Sequence, residues 1–472
     1  MKNGYTIYKT LVLIFTIITL IISISVDKGE GYEYVYFIPL VYLVLFLTCT
    51  KMHIYSAQYN GILILNGLMF LKYVVAILAT CLSKSYALPS YYAVSISAVS
   101  YHLATLILVG EECAIFITVE LFSGNIYGVG QDYNLIKNQY ERVKFGPVLL
   151  TFLCVSLCLA VLFPDNLLGS ISILFTSDNQ LTNIIEKSHV LDTVFGAFKI
   201  IISGVMINKC IMKYQETDNK KYILGSYIII AIHCLMNVST SRLNIIIPFV
   251  LFALITAKIY KRTGLYLNVG ISIVLTIILG IVSVYKMPWI FIGGSPVTAF
   301  ISDFAKRLQE YTSNVMPTAM GLQAINAYKS SIDITTFFKD IFGVMPIISH
   351  MFDEREMIYT IYNQYAIGGI NNTQLIPITI SSMAYFTPVF TYLLVIACTL
   401  ILMLCEKKND CYSHNYIKDY LKLYLYFVLA SCTFSNVQMI AGRLFTNYFP
   451  AIIILLLNQI IGKDIRVVVG RR

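Results

Sequence analysis

Apolar runs of about twenty residues recur along this chain, each long enough to cross the roughly 30 Å hydrocarbon core of a bilayer as a helix. They fall near 7–26, 35–50, 61–82, 90–110, 147–163, 192–211, 222–239, 243–260, 265–285, 382–405, 421–437 and 445–462. The pattern predicts an all-α integral membrane protein, a polytopic bundle of about twelve transmembrane helices forming one membrane domain over residues 1–472. The first run, Tyr8 to Val26, is not followed by a small-residue cleavage site and reads as a span rather than a signal peptide. After Gly110, Glu111 and Glu112 precede a further apolar run, Cys113 to Phe122. That run reads either as an interfacial helix or as a continuation of the fourth span, with both glutamates facing water on the inner side.

One interval breaks the rhythm. Residues 287–380 hold no run long enough to span, yet they are not a polar linker. Ser295-Pro296 can open a helix with Phe300, Phe304, Leu308 and Tyr311 on one face and Asp303, Lys306, Arg307 and Glu310 towards the other. A second amphipathic stretch covers Ile334 to Phe342, and Gly368-Gly369 with Asn371-Asn372 mark a loop before the next span. The expectation is a large extracytoplasmic loop whose short helices lie along the outer membrane surface and roof a cavity between spans.

Composition agrees with the pattern. The chain is 57% hydrophobic and 12% charged, more apolar surface than a soluble fold of this length can bury. Its net charge of +9 is spread over many short loops, which argues against nucleic-acid binding and for a topological origin. With the N-terminus inside, the inner segments collect Lys51, Lys137, Arg142, Lys144, Lys220, Lys221, Lys261, Arg262, Lys407 and Lys408. The short outer loops hold far fewer cations, Lys28, Lys84, Lys187 and Arg242, with Arg443 near the last. Both termini are therefore expected in the cytoplasm. None of the eleven cysteines falls in the long outer segment, and no Cys/His spacing resembles a zinc site, so neither a disulfide framework nor a metal is expected.

Arg242 and Arg443 each sit where a short outer loop meets an apolar run, with Pro248 and Pro450 following. A guanidinium at that depth can fork onto phosphate oxygens, and two on different helices can clamp a diphosphate as it leaves. The plainer reading is that each snorkels to the lipid headgroups. Lys72 falls mid-span, costly unless paired or near an end, and is a candidate ligand for a buried anion, the substrate diphosphate; otherwise it pairs or reaches water. In the outer segment Arg307 either pairs with Asp303 at i,i+4 or turns to a phosphate or sugar. His350 stands among Asp353, Glu354, Arg355 and Glu356, where it reads as a general base on a sugar hydroxyl or as part of a solvated loop. Asn371, Asn372 and Gln374 suit sugar recognition as well as a helix cap. His102 and His233 read as hydrogen-bonded packing residues.

Three stretches carry a resemblance: Ser241-Arg242-Leu243; Asn372-Thr373-Gln374-Leu375-Ile376-Pro377 to Tyr385-Phe386; and Gly442-Arg443-Leu444 to Tyr448-Phe449-Pro450. With the architecture, they make the chain similar to the Wzy-type polysaccharide polymerases, the oligosaccharide repeat-unit polymerases of O-antigen and capsule assembly. The resemblance implies a glycosyltransferase of the bacterial cytoplasmic (inner) membrane that moves a growing glycan from undecaprenyl diphosphate onto a lipid-linked repeat unit. It implies Arg242 and Arg443 as diphosphate ligands, Arg307 or Arg355 as loop arginines, and no metal or other cofactor. Membrane lipids, a chain-length regulator and a flippase of the same pathway are the implied partners. Many relatives carry an acidic residue and a glycine where this chain reads Ser381 to Pro388, so no catalytic carboxylate is expected in that stretch. Two rival readings share the pattern: an O-antigen ligase or other lipid-sugar transferase, and a lipid-linked oligosaccharide flippase or transporter.

Overall fold

Backbone amides in a hydrocarbon solvent must be satisfied within their own segment, which leaves helices as the economical solution for a chain this apolar. A computed structural model describes residues 2–89, 92–127, 140–164, 189–236, 243–285, 296–368, 375–408 and 415–469. Among them every regular element is a helix. Five are long and apolar enough to cross a membrane: Tyr5–Ser25, Asn60–Ser83, Val190–Thr217, Pro388–Lys407 and Val437–Ile461. A sixth arises if Phe37–Thr48 and Thr50–Gln58, bent by 76° at Cys49, form one broken span. Pro147–Leu162, Lys221–Cys234 and Ile246–Ile259 are apolar but shorter. The run after Gly110 is no separate interfacial element: Ala98–Tyr127 is one helix of 30 residues. The run near 421–437 is interrupted, with Tyr416–Ala430 ending in a tight turn at Ser431–Thr433 before Val437–Arg443 begins.

Contacts group the chain into two compact units. The first comprises 1–133, 293–410 and 426–442, and its axis is Ala98–Tyr127. Leu393–Lys408, Val315–Ala327 and Phe37–Thr48 pack along that helix. The buried positions Tyr101, Ala104, Thr105, Leu108, Glu111, Glu112, Ile115, Phe116 and Val119 follow helical spacing, while Val99, Leu106 and Leu121 face outward at 62–66% exposure. An outward apolar stripe of this kind suits a lipid solvent. Close approach at Gly110 depends on the missing side chain, since a Cβ there would stand 1.9 Å from the Tyr392 hydroxyl and 2.4 Å from its ring carbon. Gly110→Ala must displace that ring, and we expect a loss on the order of 1–3 kcal/mol. Thermal unfolding of the detergent-purified protein checks it; the added substitution Tyr392→Ala should recover much of the loss, and an unchanged midpoint for G110A alone would refute the tight contact.

Within this unit the segment from 296 to 385 departs from a set of surface helices. Pro296–Tyr311 does form where Ser295-Pro296 predicts it. Its apolar residues Phe304 and Tyr311 are exposed, however, while Ala305, Gln309 and Glu310 are buried. Polar partners compensate that burial: the Tyr32 hydroxyl donates to Gln309 at 3.1 Å, and Gln309 donates to the Ser85 carbonyl at 3.2 Å. Val315–Ala327 is buried along most of its length, from Val315 through Leu322. Small residues permit this: Gly321 meets Ile380 of Ile378–Tyr385, and Ala319 is sealed. The helix has no one-sided apolar stripe, which is why hydropathy does not mark it.

The second unit comprises 134–292, 411–425 and 443–472. His189–Thr217 packs against Lys221–Leu235 and Pro147–Leu162. His233 hydrogen-bonds through Nδ1 to the Ser203 hydroxyl at 2.6 Å, a helix-packing role. Asn458 ties this unit's elements, accepting from the Leu149 amide at 3.1 Å and donating to the Lys144 carbonyl at 3.0 Å.

Candidate functional site

The first unit opens an accessible groove of about 530 Å³, lined by Ile332, Asp333, Ile334, Tyr385, Phe386, Phe390 and Leu393. One wall is the start of the Ile334–Phe342 helix. Asp333 caps it, with Oδ1 accepting from the amides of Thr335 at 2.9 Å and Thr336 at 3.2 Å, and the Thr336 hydroxyl accepts in return from the Asp333 amide. The Thr335 hydroxyl, bonded to the same oxygen at 2.6 Å, holds the Asp333 carboxyl below its ordinary range. Asp333 therefore presents a charged carboxylate at the groove.

The same helix is turned apolar face out. Ile334 and Phe338 are each 49% exposed, while Thr336 and Asp340, four residues apart, are buried. Asp340 Oδ1 accepts from the Ile358 amide at 3.2 Å, and Oδ2 accepts from the Tyr385 hydroxyl. One carboxyl thus joins three short helices, Ile334–Phe342, Ile358–Ile367 and Ile378–Tyr385, directly behind the groove. Burial pushes the Asp340 carboxyl up to about 7, against the pull of the Tyr385 hydroxyl and the Ile358 amide. Two carboxyls on one helix are driven in opposite directions, the arrangement from which acid and base roles are drawn.

The residues singled out from sequence are distributed differently. Arg307 bonds Asp303 through Nε at 2.8 Å, the i,i+4 pair. His350 is exposed in the turn Ser349–Met351, and Arg355 is exposed in the turn Glu354–Glu356, with Asp353 Oδ1 accepting from the Arg355 amide at 2.9 Å. Glu356 is taken by Lys339 at 2.6 Å. Arg443 ends the Val437–Arg443 helix just before a widened π turn, Leu444–Tyr448, half-buried and within electrostatic reach of Tyr424. Arg242, Asn371, Asn372 and Gln374 lie outside the described residues.

Lys72 is sealed from solvent, and its Nζ donates to Glu111 Oε1 at 2.8 Å and to the Thr433 carbonyl at 2.6 Å. The ammonium is thus committed to an internal pair. Glu111 and Glu112 do not face water, as their position after Gly110 suggests, but are fully buried. The cause is the unbroken Ala98–Tyr127 helix, which carries both into the centre of the unit. Sequence reading missed Asp333, Asp340 and Tyr385. The available signal was Thr336 and Asp340 at helical spacing opposite Ile334 and Phe338.

These features define an α-helical membrane protein whose first unit builds a groove beside a buried carboxyl. No protein-family model matches the chain, and no curated protein and no solved structure matches it.

Proposed function

We propose that the chain is a polysaccharide polymerase, a glycosyltransferase that moves a growing glycan from undecaprenyl diphosphate to a lipid-linked repeat unit at the outer face of the bacterial cytoplasmic membrane. In this reading it crosses the bilayer about twelve times, with both termini inside and 287–380 outside, as the lysine and arginine asymmetry supports. The observation that carries the reading is the folded segment itself. A carrier needs little beyond its spans, whereas here five helices between Pro296 and Tyr385 are built into one unit and leave a groove with Asp333 on its wall.

The chemistry requires the acceptor hydroxyl to attack the anomeric carbon as the bond to the diphosphate oxygen breaks. The hydroxyl proton passes to a base; Asp333 is the carboxylate on the groove wall, and its hydrogen bonds to Thr335 and Thr336 make it a weak one. The diphosphate departs with the bonding pair, and arginine offsets its charge, the role that the sequence resemblance implies for Arg242 and Arg443. His350, Arg355 and Arg307, together with Asn371, Asn372 and Gln374, remain the groups for sugar and phosphate contact. The second reading, a lipid-linked oligosaccharide transporter, is favoured by the charged centre at Lys72, midway along Asn60–Ser83.

Purified full-length protein incubated with synthetic lipid-linked repeat units in excess EDTA should yield a glycan ladder. Activity that vanishes and returns with magnesium or manganese would refute a metal-free mechanism. Transfer of finished glycan to a lipid A core acceptor, without chain growth, would indicate the ligase, and transbilayer movement without any transfer the transporter.

A further inference from the structure

The centre around Lys72 is remote in kind from glycosyl transfer and stands independently of that reading. Asn60–Ser83 is a candidate span of 24 residues with Lys72 at its midpoint. The helix widens there into a π turn, Leu71–Val75, and the Lys72 carbonyl takes a hydrogen bond from Asn314 Nδ2 at 2.6 Å. Widened turns of this kind concentrate at functional positions. The Thr433 carbonyl that receives the Lys72 ammonium lies where the chain tightens from α-helical geometry into the 3-10 turn Ser431–Thr433.

Glu111 is heavily supplied with donors: Lys72 Nζ and the Tyr73 hydroxyl reach Oε1 at 2.8 Å each, and the Thr379 hydroxyl reaches Oε2 at 3.3 Å. Its neighbour Glu112 is the reverse. It is fully buried, and neither carboxyl oxygen has a hydrogen-bond partner among the described residues. The titratable groups facing it are Glu111 and Cys113 from its own helix, Lys72 and Tyr73 from Asn60–Ser83, and Tyr42 from Phe37–Thr48. Val315–Ala327, packed along the same helix, carries no titratable side chain. Leu393–Lys408 contributes Cys398, which pairs with Cys432 beside Glu111 and Lys72, and Glu406, which is occupied by the Gly61 amide at 2.7 Å and the Tyr127 hydroxyl at 3.1 Å; Tyr392, just before that helix, faces Glu111 and Cys113.

The charge count then decides the ligand. One ammonium cannot neutralise two carboxylates, and an ionised carboxylate without donors is not sustained away from water. A metal cation would need several oxygens converging on Glu112, and none of the described groups bonds it. A proton needs no such shell. We propose that Lys72, Glu111 and Glu112 form a proton-binding site in the sealed interior of the first unit, in which Glu111 is matched by Lys72 and Glu112 is the group that takes up and releases the proton.

Infrared difference spectroscopy of the full-length protein in liposomes tests this through the carbonyl stretch of a protonated carboxylic acid in an apolar setting. The wild type should show such a band near neutral pH, lose it at alkaline pH, and keep it when choline chloride replaces sodium chloride. In an Asp340→Asn background, which removes the other carboxyl that holds a proton near neutral pH, the isosteric change Glu112→Gln should cut the band to below about a tenth. In the same background Lys72→Gln removes the cation that faces both carboxyls, so a second carboxyl should protonate and the band should grow about two-fold. The K72Q arm and the titration of the Asp340→Asn protein remain decisive if E112Q does not fold. A missing band, one that survives in E112Q, one that never titrates, or one that sodium abolishes would overturn the proposal.

Discussion

If the chain is the proposed polymerase, replacing Arg443 by alanine will cut glycan polymerisation about 10- to 150-fold, with the protein present at its normal level in the membrane. The range follows from a charge-assisted hydrogen bond of roughly 1.5–3 kcal/mol made mainly as the diphosphate departs. Arg443 closes the Val437–Arg443 helix beside Tyr424, and the π turn that follows interrupts the regular hydrogen-bond ladder. A half-buried guanidinium held there is less screened than one in open solvent, so its contact with phosphate is stronger. Arg443→Lys should restore activity only in part, because the ammonium keeps the charge and loses the planar fork. Arg242→Ala should behave alike. Polymer length and amount in cells carrying each variant, normalised to protein in the membrane, provide the measurement. Unchanged glycan from both alanine variants would end the diphosphate-clamp reading.

The stability of the groove will fall as pH rises from about 4 to about 7 and then level off, because the Asp340 carboxyl titrates near 7 when folded and near 3.8 when free. Over that window the folded state holds a proton that the unfolded chain has released, so the stabilisation is complete below the free value and is lost on passing the folded one. The slope is roughly 1.4 kcal/mol per pH unit, giving a total on the order of 4 kcal/mol. Asp340→Asn should abolish the slope and leave the neutral protein more stable than the wild type. Asparagine keeps an oxygen for the Ile358 amide and an amide group for the Tyr385 hydroxyl. Asp340→Ala should be weaker at every pH, since it leaves the Ile358 amide without its acceptor. Accessibility of a reporter cysteine at buried Thr336, followed against pH, reads the local opening. A flat wild-type profile, or a slope that persists in D340N, would show that Asp340 is not the titrating group.

Much of the helical framework was legible from hydropathy. The runs near 7–26, 61–82, 192–211, 382–405 and 445–462 correspond to the five long apolar helices, and both amphipathic stretches of the intervening segment formed helices. Helix period and apolar length are local properties, and local properties survive in a linear reading. The face each helix buries is not local. Ile334 and Phe338 point outward while Thr336 and Asp340 point inward, the opposite of a helix on a water-soluble core. A stripe reveals that two faces differ, and only packing reveals which one meets the protein.

The candidate sites show the same division. Hydropathy alone marked Lys72 as a mid-span cation that needs a partner or an anion. It did not supply Glu111, 39 positions away, or the Thr433 carbonyl, 361 positions away. Asp340 and Tyr385, 45 positions apart, carry no sign of a shared role in their own segments and become a site only as a pair. Val315–Ala327 escaped notice because a helix buried on nearly every side carries no stripe. What the sequence by itself determined was the class of solvent this chain folds in, and so its helices and the cost of each charge within them. Tertiary structure alone decided which charges meet, because a desolvated carboxyl is stabilised by whichever donor the fold brings to it, at any distance along the chain.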